Sequence, residues 1–223
     1  MFRDITAPYH VLESWIYDYA VAPAVTGMIE ERSLLGPIID SLPRDGRLLD
    51  VGCGGGHMAF ALAAQYPELR ITGADQSPEQ IRRAEIRSRR TADRLRFITA
   101  SALDLPFESG SFDGLTSLCS IKHWQDPARG LNECIRVLRP GSRLAIIEVD
   151  PDHDPEDRIA FVARQRVPGC LRWIAMAGFR WMVAARSLSL LKAESLFKAL
   201  PVTAMQAFRV PGMPMWIIIA RKK

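Results

Sequence analysis

Four glycines fall within five positions, Gly52, Gly54, Gly55 and Gly56, inside the stretch RLLDVGCGGGHMAF from Arg47 to Phe60. An apolar run ends in an acid, the chain turns sharply, and a helical pattern begins. Such a strand–turn–helix lets backbone amides approach a ligand where a side chain would clash, and in an open α/β sheet ligands sit beyond the carboxyl ends of the strands. The turn is therefore expected to cradle a nucleotide. A dinucleotide fingerprint G-x-G-x-x-G begun at Gly52 meets His57 where its last glycine belongs, and begun at Gly54 it meets Ala59. No G-K-[ST] ending follows, so a nucleoside triphosphate loop is disfavoured as well.

From Arg47 onward strand-like runs alternate with helix-like ones, the signature of a doubly wound parallel sheet. Strands are expected at Arg47–Val51, Arg70–Ala74, Leu95–Thr99 and Phe112–Leu118, with helices after Gly56, from Pro78 to Arg90 and from Pro127 to Leu138. RPGS is expected to stop that last helix, with RLAIIEVD as the fifth strand. Asp4 to Leu42 shows helical spacing broken at Pro8, Pro23 and Gly36-Pro37, so two or three short helices form an N-terminal cap over 1–42. The core spans 47–150. Residues 151–200 lack a strand pattern and read as a helical lid insertion, and 201–223 close the sheet as an antiparallel hairpin, VTAMQAFRV and MPMWIIIARK joined through PGMP. At 223 residues all of this is one domain, 1–223.

A hydrophobic share of 48% against 24% charged residues is that of an ordinary globule, and a net charge of +4 is too modest to single out an anionic partner. Cys53, Cys119, Cys134 and Cys170 show no C-x-x-C spacing, so neither a zinc cluster nor a redox pair is expected. The opening residues lack the apolar core of a signal peptide and no uncharged stretch is long enough to span a bilayer, which gives a cytoplasmic expectation.

LLDVGCGGG resembles motif I of the class I S-adenosylmethionine-dependent methyltransferases. ITGADQSPEQI is similar to that family's second motif, and ALDLPFESGSFDGLTS and HWQDPARGLNECIRVLRPGSRLAIIE are similar to its small-molecule branch, which includes the ubiquinone and menaquinone methyltransferases. The resemblance runs in order from about Arg47 to Glu148. It implies a Rossmann-like seven-stranded sheet of order 3-2-1-4-5-7-6 with the last strand antiparallel, and S-adenosyl-L-methionine as cofactor. On that resemblance Asp75 accepts the ribose hydroxyls, and Asp50 orients the loop or receives the cofactor's ammonium. Gly52, Cys53 and Gly54 line the methionine portion, and Gln76, Ser101, Ala102, Leu103, Ser117 and Leu118 complete the cofactor site. Cys53 serves as a small spacer without chemistry, and His57 as a neighbour of the cofactor. The family's G-D-A after the third strand is here Ala100, Ser101 and Ala102, so Ser101 would stand in with its hydroxyl at the adenine.

Methyl transfer from a sulfonium needs alignment more than activation, with a base only where the nucleophile must lose a proton. His123, in SIKHWQDP after the fourth strand, is the candidate catalytic base. Lys122 beside it reads as a solvated charge. Trp15, Tyr19, His123, Trp124, Trp173 and Arg180 are expected to contact the substrate. EVDPDHDPED concentrates carboxylates, but a Pro-rich acidic loop is more often a solvated turn, and no metal is expected. CLRWIAMAGFRWMVAARSLSLL is too apolar for a free surface helix and too rich in arginine to span a membrane. A helical wheel places Leu171, Ile174, Gly178, Trp181, Met182 and Ala185 on one face, opposite Trp173, Met176, Phe179 and Val183. Core packing as a lid, a hydrophobic substrate lining, a homodimer contact and peripheral membrane contact all stay open for it.

The leading expectation is methylation of a small, largely apolar molecule, at oxygen first. A lipid or quinone methyltransferase at a membrane surface is a variant of it. An RNA or protein methyltransferase is disfavoured, because the chain lacks an N-P-P-[FY] loop and an appended RNA-binding module, so nucleic acid is not an expected partner. A non-catalytic cofactor-binding protein is the third reading.

Overall fold

A computed structural model describes residues 17–88, 94–179 and 186–223. Seven strands form one sheet: β1 Arg47–Val51, β2 Arg70–Asp75, β3 Leu95–Thr99, β4 Phe112–Leu118, β5 Leu138–Val149, β6 Val202–Arg209 and β7 Met215–Lys222. Their order is β3-β2-β1-β4-β5-β7-β6, with β1 to β5 parallel and β7 antiparallel to both of its neighbours. The expected topology is the observed one.

The central strands bury both faces, which is why β1 and β7 read as nearly continuous apolar runs. Alternate side chains still divide between two cores. Leu48, Ile71, Ile147, Ile217 and Ile219 pack on one side with α1 (Ala22–Glu31), α2 (Gly36–Ile39) and α3 (His57–Gln65). Leu49, Leu115, Ile146, Trp216 and Ile218 pack on the other with α5 (Pro127–Val137), while α4 (Pro78–Ser88) lends Ile81 and Ala84 to the first core. Each fully buried aliphatic side chain contributes roughly 1.5–3 kcal/mol.

Pro23 and Pro37 sit in the first turns of α1 and α2, so these prolines start helices rather than merely interrupt them. The N-terminal cap before residue 17 lies outside the described residues. α5 begins at Pro127 behind Asp126, whose side chain accepts from Arg129 N–H at 3.0 Å, a cap worth about 1 kcal/mol. Its end corrects the sequence reading. The helix stops at Val137, and RPGS lies within β5 instead of before it. Arg139 precedes a proline and is held extended, Leu138 already pairs with Phe112, and a register shift absorbs the extra residues before Gly114 meets Arg143.

The insertion contains α6 (Pro155–Arg164), α7 (Arg172–Gly178) and α8 (Leu190–Lys198). Phe161, Val162 and Phe179 pack into the first core, whereas Leu188 and Phe197 pack into the second. Trp216 Nε1 donates to the Leu188 carbonyl at 2.7 Å, and Trp216 is paired with Glu148 at the carboxyl end of β5. The insertion therefore changes faces at the end of the sheet that holds the glycine turn.

Candidate active site

The glycine turn leaves β1 in left-handed backbone. Gly52 has φ +72°, and a Cβ there would lie 1.8 Å from Ser120 Oγ, so the residue must be glycine on both counts. Gly52 and Cys53 donate to the Ala74 carbonyl at 2.7 and 3.1 Å. Gly54, at φ +51°, has open space where a Cβ would stand. Its amide donates to Asp75 Oδ2 at 2.9 Å, while Asp75 Oδ1 accepts from Ser77 N–H at 2.8 Å. From α4, Arg87 donates to the Gly55 carbonyl at 2.7 Å and to His57 Nε2 at 3.1 Å. Asp75, at the end of β2, thus ties two adjacent loops into one rim.

Beneath that rim Asp50 is fully buried and accepts from Thr116 Oγ1 at 3.1 Å. Burial pushes its carboxyl up to about 7; the Thr116 hydrogen bond opposes this and the charge of Asp75 adds to it. Burial likewise raises the Cys53 thiol well above its ordinary range, which keeps it neutral. Ser117 Oγ is buried and has no hydrogen-bond partner among the described residues. A buried carboxylate and open space before Gly54 fit a ligand with an ammonium-bearing tail. A carboxylate offers about four lone-pair sites, so the two amides on Asp75 are compatible with two ribose hydroxyls. S-adenosylmethionine fits these residues.

Gln76 is exposed beside Asp75, and Leu118 is half-buried at the end of β4. Ser101 Oγ accepts from Leu103 N–H at 3.2 Å and the Ser101 carbonyl from Asp104 N–H at 3.1 Å, so both oxygens serve a local turn that also carries Ala102.

The loop after β4 turns at Cys119, whose φ of +52° is strained for a residue with a Cβ. Lys122 corrects the expectation of a solvated charge. Its Nζ donates to Glu148 Oε1 at 2.8 Å and to the Cys119 carbonyl at 2.7 Å, with the two side chains 5% and 0% exposed. Glu148 also accepts from the Lys122 and Val149 amides at 3.3 and 2.7 Å. A carboxylate buried at the end of an apolar strand must find a cation and further donors, and Lys122 is the one in reach. The signal was present in LAIIEV, a glutamate in an otherwise apolar run.

His123 follows in the same turn, its amide donating to the Ser120 carbonyl at 2.9 Å. Burial, then the charges of Lys122 and Arg186, lower its imidazole to about 3. It is neutral across the physiological range and a much weaker base than an ordinary histidine. Trp124 is corrected outright: it is buried in the second core, its Nε1 donates to Ser120 Oγ at 3.0 Å, and a Cβ on Gly130 would lie 2.4 Å from its ring. Its indole faces α5, not a substrate. Tyr19 is exposed with Arg166 5.8 Å over its ring, and Trp173 is exposed on α7. Trp15 and Arg180 lie outside the described residues.

In the acidic loop Asp150 Oδ2 accepts from Arg209 at 2.6 Å, and His153 Nδ1 donates to the Asp150 carbonyl at 2.6 Å. Among the described residues no three His, Cys, Asp or Glu side chains converge as metal ligands do. His153 packs edge-on against Phe179, which rests on Phe161, so the insertion is pinned beside this loop. The helical wheel of the insertion is corrected too: Phe179 is buried, Ala175 and Met176 pack against the core that holds Leu118 and Cys119, and Leu171, Trp173 and Ile174 are exposed together. α7 follows a 3-10 turn at Gly169–Leu171, and Trp181, Met182, Val183 and Ala185 of the wheel lie outside the described residues.

Residues 49–146 match the model of a methyltransferase domain. The chain is 43% identical over 108 residues to O-methyltransferase rstn1 of Aspergillus nomiae, covering 48% of each protein. It is 35% identical over 105 residues to the demethylmenaquinone methyltransferase of Thermus thermophilus, covering 47% of this chain and 48% of that one. The matched part spans about half the length of these curated relatives. A SAM-dependent methyltransferase from Aquifex aeolicus shares the fold, with a TM-score of 0.62 at 15% identity over 85% of this chain and 87% of that one.

Proposed function

We propose, from the premise that this chain carries a class I S-adenosylmethionine-dependent methyltransferase domain, that it methylates an oxygen of a small, largely apolar acceptor. The observation that carries the reading is the meeting of the Asp50–Asp75 cradle with the turn after β4, where Ser120 stands against Gly52 and its carbonyl accepts from the His123 amide. The cofactor supplies a methyl group on a sulfonium, already activated for displacement. Asp75 holds the ribose hydroxyls and, through Gly54 and Ser77, the shape of the loops around them. Asp50 meets the ammonium, which favours its ionised form. The buried Lys122–Glu148 pair fixes the turn that presents His123.

A neutral His123 accepts a hydrogen bond from an acceptor hydroxyl and orients it, but holds a proton poorly. The chemistry therefore suits an acceptor whose hydroxyl ionises readily, a phenol or enol, with water as the final proton acceptor. The name of the Aspergillus relative supports oxygen; that of the Thermus relative favours, as a second reading, a quinone acceptor.

Methyl-labelled cofactor incubated with panels of phenols, thiols and quinones tests this, with the product's methyl position read by mass spectrometry and NMR. An O-methyl product is expected; label on sulfur alone, or on protein or RNA, sinks the proposal. In the same protein Asp75→Ala should lose about 2 kcal/mol or more of cofactor affinity by calorimetry, as for a charge-assisted hydrogen-bonded pair, and unchanged affinity would remove the ribose role.

A further inference from the structure

The chain's positive charge is not spread over it. Between Arg158 and Ala193 there are seven Arg and Lys residues and no Asp or Glu. Of the chain's 29 basic and 25 acidic residues, 22 and 25 therefore lie elsewhere, and the remainder is net acidic. The whole excess belongs to the stretch from Arg158 to Ala193 within the insertion. The same segment exposes large apolar side chains: Trp173 is 71% exposed, Ile159 56%, Ile174 49% and Leu171 46%, and α7 has no buried residue. A helix this apolar in a globular protein normally hides one face.

We propose that α6, α7 and the turn between them dock the protein on an anionic phospholipid surface, with Trp173, Ile174 and Leu171 entering the headgroup boundary and Arg172 and its neighbours meeting the lipid charge. Each part has a physical reason. Indole and branched aliphatic side chains partition into the membrane interface, and basic residues beside them are drawn to anionic headgroups. A second copy is a poor occupant, because a two-fold contact would set the acid-free basic stretch that begins at Arg158 against itself. Nucleic acid is a poor one as well, since a phosphate backbone leaves Leu171 and Ile174 without an apolar partner. Among the described residues no helix is long and apolar enough to cross a membrane, so the contact is peripheral. α7 is held to the body of the protein through Ala175 and Met176, which pack against the first core and leave Leu171, Trp173 and Ile174 outward. The inference goes beyond the acceptor assignment and does not need it.

Co-flotation of the full chain tests it, using phosphatidylcholine vesicles with and without about 30 mol% phosphatidylglycerol. The expected result is flotation with the anionic vesicles at about 0.05 M salt, weakened at about 0.5 M, and none with phosphatidylcholine alone. A blue shift of tryptophan emission on the anionic vesicles should disappear in Trp173→Phe. Arg172→Glu should weaken binding about tenfold or more, and Ile174→Glu similarly, with cofactor affinity and thermal melting unchanged because both side chains are exposed. Absence of flotation at low salt, equal binding to neutral vesicles, or an Ile174-dependent dimer in sedimentation without flotation would each overturn the proposal.

Discussion

Asp50 and Asp75 are both acids of the cradle, yet their surroundings give them different work. Asp75 is bonded to two backbone amides at the rim, whereas Asp50 is buried with a single Thr116 hydroxyl and is pushed up to about 7. A carboxyl raised above its unfolded value costs nothing while both states are protonated; the cost accumulates as pH rises from about 4, where the unfolded chain ionises, through about 7. The contribution of Asp50 to the stability of the ligand-free protein should therefore fall across that window. Asp50→Asn should remove the fall, raising ligand-free stability at pH 8 by on the order of 2–4 kcal/mol in urea titrations while weakening the cofactor. Because His123, lowered to about 3, contributes stability that is lost as pH falls below about 6.5 and so opposes the Asp50 slope, the test is the difference between wild type and Asp50→Asn: a difference that stays constant from pH 5 to 8 would contradict this. Asp75 was legible in the sequence because its place at the end of a strand defines its chemistry. Ser117 was legible as a position, but its unsatisfied hydroxyl emerges only once β5 has packed beside it.

The turn Cys119–His123 is the element on which the acceptor side depends, and Lys122 holds it closed. Removing one partner of a buried pair strands the other's charge, so Lys122→Met should cost about 3–5 kcal/mol in denaturant titration. Lys122→Met with Glu148→Leu should recover most of that, because neither charge is then left buried. In the recovered protein the His123 titration, followed by NMR, should move up from about 3 as its cationic neighbour is lost. A double variant as unstable as the single one would show that the pair is not what the turn requires. Strand positions were readable from period and β-branching. The start of β5 was not, because proline and glycine look like a stop until the neighbouring Phe112 and the Lys222 Nζ, 2.7 Å from the Leu138 carbonyl, capture the backbone into the sheet. In the described part of the insertion the two faces were misread for a related reason: a helical wheel gives two opposite faces, and Trp173 and Ile174, placed on opposite ones, are both exposed.

For the whole molecule, cofactor that binds only the folded state must raise its melting temperature. At about a hundred times the dissociation constant the gain is about 2.7 kcal/mol, or roughly 5 °C or more for a domain of this size. Scanning fluorimetry with S-adenosylmethionine should show that rise in the wild type and lose it in Asp75→Ala; an equal rise in both would place the ligand elsewhere. Sheet order, layers and the cradle at the carboxyl ends were legible because glycine turn, strand and helix recur in sequence order from Arg47 to Glu148. What the insertion touches was not, because its apolar residues could face either the core or the surroundings. The place of β7 has a consequence for how the molecule is made. It sits between β5 and β6, pairing Met215 with Val149 and Arg221 with Arg143. Until the ribosome has delivered that stretch, the Leu144–Val149 edge has no second neighbour, and the growing chain carries an apolar, hydrogen-bond-hungry strand through the synthesis of the whole insertion. A nascent chain of this design is exposed to edge-to-edge pairing with its neighbours until its sheet is zipped shut.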